Sequence, residues 1–135
     1  MTPEERRHLS EEVAPIPLPY QFSGDGYERK RGDGTPDRGY NLWSGNLETG
    51  DNLRMVGTVQ IPKGENWGHR KTLATILFIS RATRAFHDLQ AVLQLADTLY
   101  KRQHASLSIT SAMWRQLFAL TNKAQAALEE PKNLT

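Results

Sequence analysis

Between His69 and Glu130 the chain contains neither glycine nor proline, and apolar residues recur through this stretch at helical intervals. At 100° per residue from Arg70, the residues Ala82, Phe86, Leu89, Leu93, Ala96 and Tyr100 fall within about 80° to 160°, which predicts a helix over 81–103 packed through that stripe. Leu73, Ile76 and Leu77 fall at about 240° to 340° instead, so TLATILFIS (72–80) does not continue the stripe. Two accounts fit: a separate strand with Ser80 capping a new helix, or one long helix that changes its buried face. The strand is preferred. A second helix over 108–130 aligns Met113, Leu117, Leu120, Ala124 and Leu128 on one side and stops before Pro131. The short linker QHASL makes the two helices an antiparallel hairpin.

Upstream the texture differs. Residues 1–12 suit a short helix, with Thr2 as cap, Pro3 at the first helical position and Glu4 and Glu5 in the first turn. APIPLPYQF alternates proline with apolar residues and predicts an extended arm. SGDGYERKRGDGTPDRG (23–39) mixes turn residues with dense charge and is read as a mobile loop. YNLWSG suits a short strand, ETGDN is turn chemistry, and Arg54–Ile61 is β-branched and ends at Pro62, which marks another strand. The expected architecture is α+β: a flexible N-terminal arm over 1–38, then one domain over 39–135 with a small antiparallel sheet of two or three strands and a C-terminal helical hairpin.

Composition narrows the chemistry. A chain of 135 residues suits one compact domain. It has no cysteine, which excludes a disulfide framework, a thiolate zinc site and a cysteine nucleophile. The N-terminus lacks the apolar segment of a secretory signal, and the longest apolar run, Ile76–Ile79, is far short of a membrane span. A cytoplasmic location without membrane association is expected. The formal net charge is only +2, but it is unevenly spread. Residues 1–53 hold six basic and ten acidic side chains, whereas residues 54–123 hold ten basic against three acidic. A cationic region of this kind bears on partners rather than on fold.

Glycines and basic residues meet in PKGENWGHRKT (62–72), which invites comparison with a phosphate-binding loop. A nucleotide P-loop needs G-x-x-x-x-G-K-[ST], so that successive backbone N–H groups wrap the phosphates. Here three residues separate Gly64 from Gly68, and His69 and Arg70 intervene before Lys71 and Thr72. The loop is therefore read first as a turn, and second as a cationic rim of Lys63, His69, Arg70 and Lys71 that holds phosphate without hydrolysing it. Trp67 beside this rim, and Tyr27 beside Arg29, Lys30 and Arg31, have the pairing of aromatic and cation that single-stranded nucleic acid uses. Arg81 and Arg84 extend the candidate ligand surface along the first long helix.

Catalytic patterns are missing from the sequence. His8, His69, His87 and His104 do not stand at metal-ligand spacing, and Asp88 and Asp97 lie on opposite sides of one helix. Asp25, Asp33 and Asp37 do not meet EF-hand spacing, and Arg31-Gly32-Asp33 is taken as a chance tripeptide within a loop. No cofactor or metal is expected. Beyond the main stripe, the first helix offers Leu95 and Leu99, and the second offers Trp114 and Phe118. A hairpin on a small sheet cannot cover all of these, so the four are assigned to a homo-oligomer interface. The function expected is a non-enzymatic, homo-oligomeric binding or regulatory protein with a cationic surface for nucleic acid or a nucleotide-like ligand. An adaptor or inhibitor that binds an acidic protein surface is the alternative, and a small phosphate-processing enzyme the third reading.

Overall fold

Thr2 opens the chain with a capping box: its side chain accepts from the Glu5 N–H at 3.1 Å, and the Glu5 carboxylate accepts from the Thr2 N–H at 3.1 Å. Helix α1 (Pro3–Glu11) follows, as Pro3 and the acidic first turn predict. The computed structural model describes residues 1–12 and 16–129, in two units, Met1–Leu77 and Phe78–Thr135. The start of the predicted extended arm, Ala14 and Pro15, lies outside the described residues. Residues 16–20 have no regular structure, and the Ser44 hydroxyl donates to the Pro17 carbonyl at 2.6 Å.

The first unit is built on a three-stranded antiparallel sheet in the order β1 (Gln21–Lys30), β2 (Pro36–Ser44), β3 (Arg54–Gln60). The two strands expected from YNLWSG and RMVGTVQI are present, with ETGDN as the turn between them. The mobile loop expected over 23–39 is a correction: it forms β1, a tight turn and the start of β2, in register from Gly26↔Tyr40 to Lys30↔Pro36. Charge did not prevent the pairing because it is matched across the strands. Asp37 forms ion pairs with Arg29 and Arg31, each at 3.6 Å, and Glu28 pairs with Arg38 at 3.0 Å. A bulge between Phe22 and Gly26 absorbs the Ser-Gly-Asp stretch.

Tyr40 is the centre of this unit. It is buried, it meets Phe22 and Trp67 edge-on with ring centroids 5.5 Å away in each case, and its hydroxyl accepts from the Gly68 N–H at 2.8 Å. The loop 62–69 is thereby tied to the middle of β2 by an aromatic contact and a hydrogen bond. Ile61, Thr72 and Ile76 are also buried in this unit.

The largest correction concerns 72–80, which is helical. Helix α2 runs without interruption from Arg70 to His104, so its first two turns belong to the first unit and the rest to the second. Ser80 is an interior residue of that helix and not a cap. In the second unit Thr110 caps helix α3 (Ser111–Leu128), its side chain accepting from the Met113 N–H. Arg84 bonds to Ala127 and Glu129, Asp88 to Lys123, and Arg102 to Ser108, so α2 and α3 run antiparallel as the predicted hairpin.

The expected strand fails because the helix packs through a different seam. The side of α2 turned to α3 carries Ala85, Asp88, Val92, Leu95 and Leu99; Ala85 and Leu99 are buried, and the other three half-buried. Taken at 100° per residue from Arg70 these lie at about 340° to 60°, whereas Thr72 and Ile76, the buried residues of the first two turns, lie at about 200° and 240°, so one long helix changes its buried side along its length. The stripe from Phe86 to Tyr100, expected to face the core, is the exposed one.

At the β2–β3 corner Gly45 has φ +103, and a Cβ there would run into the Asn52 backbone. Gly45→Ala is expected to lower stability by roughly 1 to 3 kcal/mol, read from denaturant unfolding, because the corner must open to admit a methyl group.

Candidate functional site

The residues assigned to a ligand surface fall in both units. Lys63 is an exposed partner of Asp33, with Nζ 3.3 Å from Oδ2. Trp67, half-exposed, lies edge-on to Tyr40 and covers Gly26, where a Cβ would strike its ring. His69 precedes α2, with Nδ1 2.9 Å from the Thr72 hydroxyl and its carbonyl accepting from the Leu73 N–H at 3.0 Å. Arg70 and Lys71 stand exposed in the first turn of α2, which contains no acidic residue. Two cations at the positive end of a helix dipole repel it and each other, an arrangement that an anion would relieve.

Arg81 and Arg84 belong to the second unit. Arg84 closes the end of α3: Nε donates to the Ala127 carbonyl at 2.8 Å and an Nη donates to the Glu129 carbonyl at 2.6 Å. A guanidinium at a helix C-terminus satisfies carbonyls that have no partner in the helix and opposes the negative end of the dipole. Arg81 is half-buried and engaged. Arg102 likewise gives Nε and an Nη to the Ser108 carbonyl, at 3.0 and 2.9 Å, and so fixes the hairpin loop. Of the seven residues, His69, Arg70 and Lys71 are consecutive, with Trp67 just before them, whereas Arg84 serves the fold.

The acidic residues of α2 are also committed. Asp88 is ion-paired with Lys123 at 3.3 Å, and Asp97 accepts from Lys101 at 2.8 Å, which raises the Lys101 ammonium above the ordinary lysine value. Tyr27 lies against Gly39 across the strand pair, with the Arg29 guanidinium 5.0 Å from its ring centre. An open cleft of about 730 Å³ beside the β2–β3 corner is lined by Pro17, Ser44, Asn46, Asp51 and Arg54, among others. Two of its polar groups serve the corner: Ser44 is bonded to Pro17, and the Asn46 side chain accepts from the Glu48 and Thr49 N–H groups. Among the described residues, no group of three or more His, Asp or Glu could hold a metal ion, and no helix is long and apolar enough to cross a membrane.

The assigned interface residues divide. Trp114 and Phe118 are exposed, at 54% and 69%. Leu95 and Leu99 are a correction: Leu99 is 4% exposed and Leu95 half-buried, both on the side of α2 turned to α3. The large exposed apolar side chains of α2 that the interface assignment missed are Phe78, Phe86, Leu89, Leu93 and Tyr100. Their spacing is the plainest periodic signal in the chain, but periodicity does not say which neighbour a stripe meets.

Antiparallel geometry places these side chains together. Positions that share a level along the hairpin sum to about 211, as in Arg84 with Ala127 and Asp88 with Lys123. Leu93 is then level with Phe118, and Ala96 with Trp114. Viewed along each helix from its own N-terminus, the exposed stripe of α2 lies roughly 120° clockwise from the direction of α3, and Trp114 and Phe118 lie roughly 100° clockwise from the direction of α2. For antiparallel helices, equal rotations of this sense lead to the same side. The opposite side carries His87, Gln90, Gln94, Thr98 and Lys101 from α2 and Gln116 and Lys123 from α3. The hairpin has one apolar and one polar face.

Arg84→Ala is expected to cost about 1 to 2 kcal/mol in denaturant unfolding, because two carbonyls lose a charged donor at a part-exposed site. Lys63→Ala should leave the midpoint unchanged. Asp33 gives a pH signature. Its carboxyl is held below the ordinary aspartate value by hydrogen bonds from the Thr35 hydroxyl and N–H, with Lys63 and Arg31 adding to the effect. A lowered folded value contributes stability that is present above the unfolded value and lost as pH falls through the folded one. Thermal scans from about pH 5 downward should therefore show an acid-side loss that is smaller in Asp33→Asn.

Compared with protein-family models, curated proteins and solved structures, the chain matches none.

Proposed function

We propose that the chain is a non-enzymatic, homo-oligomeric binding or regulatory protein of the cytoplasm. The observation that carries this reading is the apolar face of the hairpin, where Leu93, Tyr100, Trp114 and Phe118 are each more than half exposed. Large apolar side chains gathered on one side of a helix pair mark a surface meant for another protein surface. Their neighbours on the other face are polar, so the segregation is a property of the sequence and not of general hydrophobicity.

An anionic ligand, nucleic acid or nucleotide-like, is the second component of the reading. Support comes from the start of α2, where His69, Arg70 and Lys71 follow Trp67 and no acid offsets them in the first turn. Backbone N–H groups at a helix start, two exposed cations and a half-exposed indole suit a phosphate and a stacked ring. An adaptor that binds through the hairpin face alone is the competing account.

A thermal-shift and fluorescence-anisotropy screen of nucleotides and short oligonucleotides, at low and high salt, separates the two. Binding through the α2 start should weaken steeply with salt and fall about tenfold or more in the Arg70→Ala, Lys71→Ala double variant, a loss of roughly 1.4 kcal/mol. The ligand-free midpoint should not fall, since the variant removes repulsion with the helix dipole. Equal affinity of the double variant for every ligand found would leave 62–72 as a turn and the adaptor account in place.

A further inference from the structure

Helix α2 carries two seams. The inner one, Ala85, Asp88, Val92, Leu95 and Leu99, steps by three and four residues and faces α3. The outer one, Ala82, Phe86, Leu89, Leu93, Ala96 and Tyr100, steps by 4, 3, 4, 3 and 4. That alternation is the heptad spacing with which helices pack knobs into holes, so the outer seam suits another helix rather than an irregular surface. Trp114 and Phe118 lie on the same side, level with Ala96 and Leu93, and widen the seam from one helix to two.

We infer that the occupant of this face is the same face of a second copy, the two hairpins closing into a four-helix bundle. The inference rests on the homo-oligomeric part of the function proposed above and names its interface. Three observations favour a copy over another partner. The face carries little charge: Asp97, at one margin, is bonded to Lys101 on its own helix at 2.8 Å, Arg115 stands at the other margin, and Lys123 and Gln116 lie on the opposite side. A strongly charged partner gains nothing from it. Second, the exposed apolar surface of Phe86, Leu89, Leu93, Tyr100, Trp114 and Phe118 is on the order of 700 Å², close to the roughly 800 Å² that each partner gives to a stable interface. Third, a twofold pairing sets aromatic and leucine side chains of one copy against those of the other, so a single patch supplies both halves of the contact. Face-to-face hairpins are also the usual way in which two such units share one core.

Sedimentation equilibrium and light scattering on the full chain, across a hundredfold range of concentration, test this. The wild-type protein should show twice the 15.3 kDa chain mass, and Leu93→Glu with Phe118→Glu should return it to the single mass with its helical circular dichroism kept. Gln94→Glu with Gln116→Glu, on the polar face, should leave the double mass in place. The milder pair Leu93→Ala with Phe118→Ala, which adds no charge, should raise the dissociation constant at least tenfold without unfolding. A wild-type chain that stays at the single mass throughout, with the glutamate variant still folded, overturns pairing with a copy while leaving the face free for another helical protein. Loss of helical signal in both the glutamate and the alanine variants, from a wild-type chain of single mass, places these side chains in a core. That result overturns both the pairing and the reading of the face as a binding surface. A double mass that persists in the folded glutamate variant places the dimer contact elsewhere and overturns the inference equally.

Discussion

Thirty-five residues without glycine or proline allow one series of i→i−4 hydrogen bonds to carry α2 from Arg70 to His104, and the two units of the chain share that backbone. A helix turns only part of its circumference to any one neighbour. Thr72 and Ile76 are buried near its start, and Ala85 and Leu99 further along. The remaining apolar stripe, Phe86 to Tyr100, is left over by geometry, because α3 covers one side only. Everything proposed about association follows from that surplus.

Charge has a different use here from the one its distribution suggests. Several of the basic residues of 54–123 have partners within the fold. Arg84 and Arg102 satisfy backbone carbonyls, and Lys63, Lys101 and Lys123 each face a carboxylate. A guanidinium that closes a helix end fills a need that an apolar side chain cannot, since the last carbonyls of a helix have no partner within it. Arg70 and Lys71 differ in both position and setting. They sit where a helix prefers acids, and the fold gains nothing from them there. Residues placed against the local electrostatic preference are the ones for which a ligand is a reasonable explanation.

The N-terminal half shows the same economy in a strand setting. SGDGYERKRGDGTPDRG is so polar that burial cannot order it, yet cross-strand pairs of Glu28 with Arg38 and of Asp37 with Arg29 and Arg31 fit a two-residue alternation. The turn between the strands is held by Asp33, whose Oδ1 accepts from the Thr35 N–H at 3.0 Å and from its hydroxyl at 2.6 Å. Arg31-Gly32-Asp33 is accordingly a hairpin tip with structural duties. Tyr40, from the next strand, then fixes the loop 62–69 through Trp67 and Gly68 and so positions the start of α2.

Several local signals were legible in the sequence. The Thr2 cap, the turn at ETGDN, the strand that ends before Pro62 and the antiparallel hairpin each depend on neighbours within a few residues, and each is found where the residues imply. Long-range choices were not. Both stripes of α2 have sound helical periodicity, and periodicity says that a face is apolar without saying what covers it. Covalent order, a short loop held by Arg102 and the contacts from Arg84 and Asp88 to α3 turn Leu95 and Leu99 inward and leave Leu93 and Phe118 outside. The same limit applies to the charged loop that became β1: alternating charges are equally suited to solvent and to a facing strand. Only the tertiary structure, by supplying β2 at the matching register, decided between them.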